Sequence, residues 1–93
     1  MKVKMKPGFI VREVAGEQVV IPAGMESVDF TKMLVLNDSA LLLVSSLMKE
    51  CFLSIEELAD ILLRDYDVEE EQAKEDVAEL LDKLQQLDML VSE

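Results

Sequence analysis

The apolar positions of the chain change their period once, near Asn37. Before it they come in short runs; after it they recur at spacings of three and four. "FIVREV" and "EQVVIP" flank Ala15-Gly16. Gly16 can take the positive φ that closes a hairpin, for instance as the last residue of a three-residue loop. Pro22 and Gly24 end the second run. A third run, "DFTKMLVLN", covers Asp29 to Asn37. Its Thr31, Met33 and Val35 point one way and its Lys32, Leu34 and Leu36 the other. The lysine aside, neither face is polar, which implies that both sides are at least partly covered. The pattern predicts three short antiparallel strands.

Three helices follow. Asn37-Asp38-Ser39 supplies a capping residue for a buried central helix from Ala40 to about Met48. Ser54-Ile55-Glu56-Glu57 reads as a capping box, with Ser at the cap and Glu three residues later. Leu58, Ala59 and Leu62 then line the inner face of a second helix ending near Asp65-Tyr66. Asp67-Val68-Glu69-Glu70 repeats the signature with Asp as cap, so a third helix is expected from about Val68 to Leu87. At 100° per residue its Ala73, Val77, Leu80, Leu81, Leu84 and Leu87 fall in a sector roughly 120° wide. Asp76 lies just outside one border of that stripe.

Charge changes this picture. A helix-turn-helix arrangement suggests a DNA reader, yet the last helix opens with Glu69-Glu70-Glu71 and continues through Glu75, Asp76, Glu79 and Asp82. The net charge is −11. Residues 54–93 carry fourteen acids against three bases, whereas residues 1–53 balance at six of each. First-turn carboxylates suit the positive end of the helix dipole at about 0.3–1 kcal/mol each at best. That accounts for part of the excess but not for Glu75, Glu79 and Asp82. Duplex DNA is a polyanion whose binding needs Lys and Arg to displace counterions, so this surface argues against it.

Ninety-three residues, 51% of them hydrophobic, suit a single folded domain spanning 1–93. Residues 1–8 are expected to be a flexible basic tail ended by Pro7-Gly8. That tail leads into no apolar signal segment, and the longest apolar run, Ala40 to Val44, is far short of the ~20 residues of a membrane span. A cytoplasmic setting is the expectation, and a lone Cys51 excludes an internal disulfide framework.

Catalytic chemistry is scarce. The chain has no His, so no Cys-His or Ser-His pair can form. There is no Cys/His metal constellation, no calcium loop and no Gly-rich phosphate loop. Cys51 reads as a small packed thiol, and the six methionines as packing residues, with Met33 suited to an adaptable binding surface. No enzyme activity, metal or cofactor is expected.

Two sets of residues carry a family resemblance. They are Leu36-Asn37 entering the first helix and Tyr66-Asp67-Val68…Ala73…Asp76-Val77…Leu81…Leu84. In this order and at these spacings, from Phe9 to Val91, the chain resembles the PqqD-like family of peptide-modification chaperones, also called RiPP precursor peptide recognition elements. It departs at Val44, where the family often has Trp, and at Asp88, where it often has Gly. Asp tolerates the left-handed conformation better than most residues. The resemblance implies an α+β, winged helix-turn-helix-like fold: three short antiparallel N-terminal strands followed by three α-helices. It also implies binding of the leader segment of a ribosomally made precursor peptide. In the family the leader adds as a strand beside the third strand and packs against the third helix, and a companion enzyme, often a radical SAM protein, does the chemistry.

The residues expected to contact the peptide are therefore Phe30, Thr31, Lys32, Met33, Leu34 and Val35 on the strand, with Ala73, Asp76, Val77 and Leu80 on the helix. Backbone bonds to an open edge would supply affinity, and side chains in a groove would supply specificity. Two other readings compete. One is a nucleic-acid regulator using the basic tail. The other is a structural or regulatory winged-helix subunit whose edge strand pairs with itself in a homodimer.

Overall fold

The computed structural model describes residues 2–24, 32–49 and 52–93. The order of elements is β1 (Lys2–Met5), β2 (Phe9–Val14), β3 (Glu17–Pro22), β4 (Leu34–Leu36), α1 (Asp38–Leu47), β5 (Leu53–Ser54), α2 (Ile55–Asp65), α3 (Glu70–Gln86) and β6 (Leu90–Ser92). The strands form two antiparallel sheets, ordered β5-β1-β6 and β2-β3-β4. The fold is α+β, and three of its six strands lie outside the simple expectation of three strands followed by three helices.

The basic segment expected to be a tail is instead the central strand of the first sheet. Val3 and Met5 are buried at 8% and 5% exposure, and they alternate with Lys2, Lys4 and Lys6. Burying one face fixes the register of such a strand. Long-range pairing holds it in place. Val3 lies opposite both Leu53 and Ser92, the Lys6 amide donates to the Met89 carbonyl at 2.8 Å, and the Glu93 amide donates to the Lys2 carbonyl at 2.9 Å.

In the second sheet the β2–β3 hairpin pairs Val14 with Glu17, which leaves a two-residue loop rather than three. Ala15 at φ 53° and Gly16 at φ 81° both take the left-handed conformation. Two positive φ values match the twist of a tight hairpin, at the cost of forcing an alanine where glycine or asparagine is usual. The third predicted run is a strand only at Leu34–Leu36, and Phe30 and Thr31 lie outside the described residues. Its faces also differ. Leu36 is buried, but Val35 is 48% exposed, so one side is open.

The helices follow local chemistry. Asn37 caps α1, its side chain accepting from the Ala40 amide at 2.8 Å. Ser54 and Glu57 form a reciprocal capping box: Glu57 N–H donates to Ser54 Oγ at 3.1 Å, and Ser54 N–H donates to Glu57 Oε1 at 3.0 Å. Lys2 adds its ammonium to the same carboxylate at 3.4 Å, so β1 reinforces the start of α2. Asp67 does not cap α3. That helix begins two residues after the expected start, with Glu69 at the cap position and no side-chain bond there. At its other end Met89 N–H reaches Leu84 O at 3.0 Å and Asp88 N–H reaches Gln85 O at 3.0 Å. This is a Schellman ending, and Asp88 takes the left-handed residue at φ 57°.

One apolar cluster draws on both sheets and all three helices. Leu43, Val44, Leu47, Leu58, Leu62, Val77, Leu84 and Met89 are among its most buried members. Val44 is fully enclosed here. The α3 stripe faces this cluster as the periodicity predicts, with Leu81 and Leu87 at its half-buried margins. Among the described residues no helix is long and apolar enough to cross a membrane. Cys51 lies outside the described residues.

The capping box gives a pH-dependent test. The Ser54 backbone N–H, then its hydroxyl and Lys2, hold the Glu57 carboxyl below the ordinary glutamate range. A depressed folded pKa means stability that is present at neutral pH and lost as pH falls through the folded value. Ser54→Ala should lower stability by about 0.5–2 kcal/mol. Glu57→Gln should be less stable than the parent at neutral pH, with the gap closing in strong acid. Urea melts at both pH values check this, and a gap independent of pH would contradict the box.

Candidate functional site

β4 is hydrogen-bonded to β3 on one side, with Gln18 opposite Leu36, Val19 opposite Val35 and Val20 opposite Leu34. Among the described residues no strand lies on its other side. An edge of this kind presents backbone N–H and C=O groups with no ladder partner. Leu36 anchors the strand in the core, and Asn37 immediately turns the chain into α1. The open edge is thereby held next to the first turn of a helix.

A cleft of about 340 Å³ lies between β4, the N-terminal half of α1 and α3. Leu34, Ala40, Leu43 and Leu80 supply its apolar surface, and Asn37, Ser39, Asp76, Glu79 and Lys83 its polar rim, with Val35 at the strand side. A second cleft of about 290 Å³ shares Asn37, Ser39 and Asp76 with the first and extends to Leu62, Tyr66 and Val68. The two form one groove crossing the N-terminus of α1. Tyr66 and Val68 are 37% and 36% exposed, so their apolar surface is open to a guest.

The groove is acidic. Among the described residues its lining holds Asp38, Asp76 and Glu79 against one cation, Lys83, and that lysine pairs with Glu79 at 3.6 Å. Such exposed pairs are worth about 0–1 kcal/mol, so they organise the rim rather than stabilise the fold. Asp76 sits where the two halves meet, half-buried, and accepts from Gln72 Nε2 at 2.8 Å. Among the described residues no group of three or more carboxylates or thiols is arranged to hold a metal.

The fold redistributes the residues expected on the strand and the helix. Leu34, Val35, Asp76 and Leu80 come together at the groove. Ala73 and Val77 do not: both have 0% exposure and belong to the core. Their inward position follows from the same stripe that buries Leu84, and the small side chain of Ala73 serves close packing. Lys32 and Met33 precede β4 and are not part of the groove lining, and Phe30 and Thr31 are outside the described residues. The residues missed were chiefly Ser39, Ala40, Leu43, Leu62 and Lys83. A signal existed for others. Asn37, Tyr66 and Val68, all within the resemblance motifs, line the groove.

The sequence matches the family model described as coenzyme PQQ synthesis protein D (PqqD) over residues 17–90. Among curated proteins nothing matches. Two solved structures share the fold. One is described as lasso peptide synthetase B1 complexed with the leader peptide, with 24% identity, TM-score 0.69, and 99% of this chain and 100% of that chain covered. The other is TbiB1 in complex with the TbiA(beta) leader peptide, with 17% identity, TM-score 0.70, and coverage of 97% and 96%.

The division of α3 into a core face and a groove face has an energetic signature. Val77→Ala should destabilise at roughly 0.8 kcal/mol per lost carbon plus a cavity contribution. Asp76→Ala and Glu79→Ala should stay within about 0.5 kcal/mol of the parent. Chemical denaturation distinguishes them, and equal costs on both faces would contradict the assignment.

Proposed function

The chain belongs to the PqqD family, and we propose that it is a non-catalytic recognition element for the leader segment of a ribosomally synthesised precursor peptide. In this reading the leader adds as a strand to the open edge of β4 and is presented to a separate modifying enzyme, such as a radical SAM protein. The observation that carries the proposal is the pairing of an edge with no strand partner among the described residues and an apolar groove alongside it. Both neighbouring structures are described with leader peptides bound, which supports the same reading.

The physics of strand addition fits the residues. Backbone bonds from β4 provide affinity that depends little on sequence. Side chains of an added strand alternate in direction, so every second one is aimed at the groove side. Leu34, Leu43 and Leu80 favour an apolar anchor there. Asp38, Asp76 and Glu79 favour Lys or Arg beside it, and they oppose an acidic guest or a nucleic acid. The lysines of the N-terminus offer no loose arm for DNA, because Lys2–Met5 is a central strand. A cytoplasmic place of action, where precursor and enzyme would meet, belongs to the same proposal.

The same open edge favours one second reading, self-pairing of β4 in a homodimer. Its mark is a mass that rises with protein concentration and is unaffected by peptide.

The test is titration calorimetry with synthetic leader segments of precursor peptides, drawn from any short precursor found encoded near this gene. Val35→Pro, in a variant that still folds, should abolish binding by disturbing the edge strand. Unchanged affinity in the folded proline variant would sink strand addition at β4. Rates separate the charges. Glu79→Lys should slow association at low salt, with the loss fading at 1 M as screening shortens to about 3 Å. Asp76→Ala should speed dissociation at both salt levels, because this carboxylate is half-buried at the centre of the groove. Rates identical to the parent in both variants would leave the acids as a solvated face alone.

A further inference from the structure

The two halves of the groove differ in how their charge is balanced. Beside β4, Glu79 has Lys83 as its partner at 3.6 Å. The other half, of about 290 Å³, has Asp38 and Asp76 at its rim. Its apolar wall is the buried Leu62 with the exposed Tyr66 and Val68. All nine lysines and arginines of the chain lie among the described residues, and none of them lines this half. Neither Asp38 nor Asp76 has an ion-pair partner among them.

Neighbouring groups leave that charge uncompensated. Asn37 Oδ1 accepts from the Ala40 amide at 2.8 Å and from Ser39 Oγ at 3.1 Å, so the neutral rim groups are engaged with one another. Asp76 accepts from Gln72 Nε2 at 2.8 Å, a neutral donor. Arg64 is held on its own helix, its Nε donating to the Asp60 carbonyl at 3.4 Å. Asp65, Asp67 and Glu69, chain neighbours of Tyr66 and Val68, are exposed and add the same sign. The positive end of the α1 dipole lies at this cleft and opposes a cation, but the first-turn Asp38 offsets it. A purely apolar guest would take water from the half-buried Asp76 without pairing it, which is unfavourable for a carboxylate.

We infer that this half of the groove is an arginine subsite, set apart from the apolar anchor site beside β4. The inference rests on the functional reading above, since the arginine belongs to the leader peptide. Its aliphatic stem lies over Leu62 and Val68, its guanidinium stacks on the Tyr66 ring, and its N–H groups reach Asp38 on α1 and Asp76 on α3. A planar guanidinium with five donors serves two carboxylates and a ring at once, whereas the compact, strongly hydrated ammonium of lysine does not. Position along the leader follows from the strand. Leu34 and Val35 line the half beside β4, and Asn37, further along the same direction, lines both halves. Alternate side chains of an extended guest share a face about 7 Å apart, so the arginine stands about two to four residues from the apolar anchor.

The test uses ¹⁵N-labelled full chain and three capped amino acids: N-acetyl-arginine N-methylamide, its lysine counterpart and its citrulline counterpart, which keeps the shape and loses the charge. The arginine compound should move the amide resonances of Asp38, Tyr66, Val68 and Asp76 saturably, the lysine compound less, and the citrulline compound not at all. In a leader segment that binds at β4, arginine replaced by citrulline should weaken binding about tenfold. Asp38→Asn combined with Asp76→Asn should erase that difference; if the pair does not fold, Asp76→Asn alone should narrow it. Tyr66→Leu should reduce the preference for arginine over lysine. The inference is overturned if the capped arginine moves nothing, if it moves Glu79 and Lys83 instead, if citrulline binds as well as arginine, or if a leader bound at β4 has no arginine at this spacing. Failure of every leader segment at β4, with the capped arginine still bound, would overturn the functional reading and with it the source of the arginine, leaving the cleft as a cation site alone.

Discussion

Leu36 points into the core at 6% exposure, and the next side chain, Asn37, turns back to accept the amide of Ala40. These two adjacent constraints act in different ways. Burial fixes which face of β4 looks inward, since a one-residue slip would expose Leu36 and bury its neighbours. The cap fixes where strand stops and helix starts. Together they hold a three-residue edge strand, which has little stability of its own, against the first turn of α1 and the flank of α3. The groove exists because the chain cannot move β4 without losing either a buried leucine or a helix cap.

The same scaffold explains why helix-turn-helix geometry and an acidic surface coexist. Fold alone does not set function. Here α3 commits one face to packing through Ala73, Val77 and Leu84, and the opposite face carries carboxylates. Leu80 and Asp76 stand where the two meet, and both are at the groove. Lys2, Lys4 and Lys6 lie along β1 and at its end, whereas Lys74 and Lys83 share α3 with the carboxylates and pair with Glu70 and Glu79.

Where one element's own chemistry sufficed, the sequence was readable. The bounds of β2 and β3 follow from "FIVREV" and "EQVVIP" between turn residues, and α2 from its Ser54–Glu57 box. The left-handed Asp88 also follows from residue type. What failed depends on distant partners. β1, β5 and β6 are two to four residues long, and β1 pairs with segments near residues 53 and 91. The Lys-Val-Lys-Met-Lys alternation was the available clue, and its charge concealed its period. Asp67 resembled a cap, but the chain stays extended through Val68 and places that valine in the groove. At the site, the strand-to-helix proximity was legible at Leu34, Val35, Asp76 and Leu80. Ala73 and Val77 were not separable from them, because periodicity gives the direction of a side chain and not which neighbour covers it.

Amide hydrogen exchange across β4, with and without bound leader peptide, tests the central claim most directly. Successive N–H groups of a strand point to opposite sides, so within Leu34–Leu36 the amides facing β3 are already bonded and those facing away are not. Strand addition predicts that the outward-facing amides, fast in the free protein, become slow when the leader binds, with the β2 edge unchanged. Slowing at β2, or a bound peptide that leaves every β4 amide at its free rate, would contradict it.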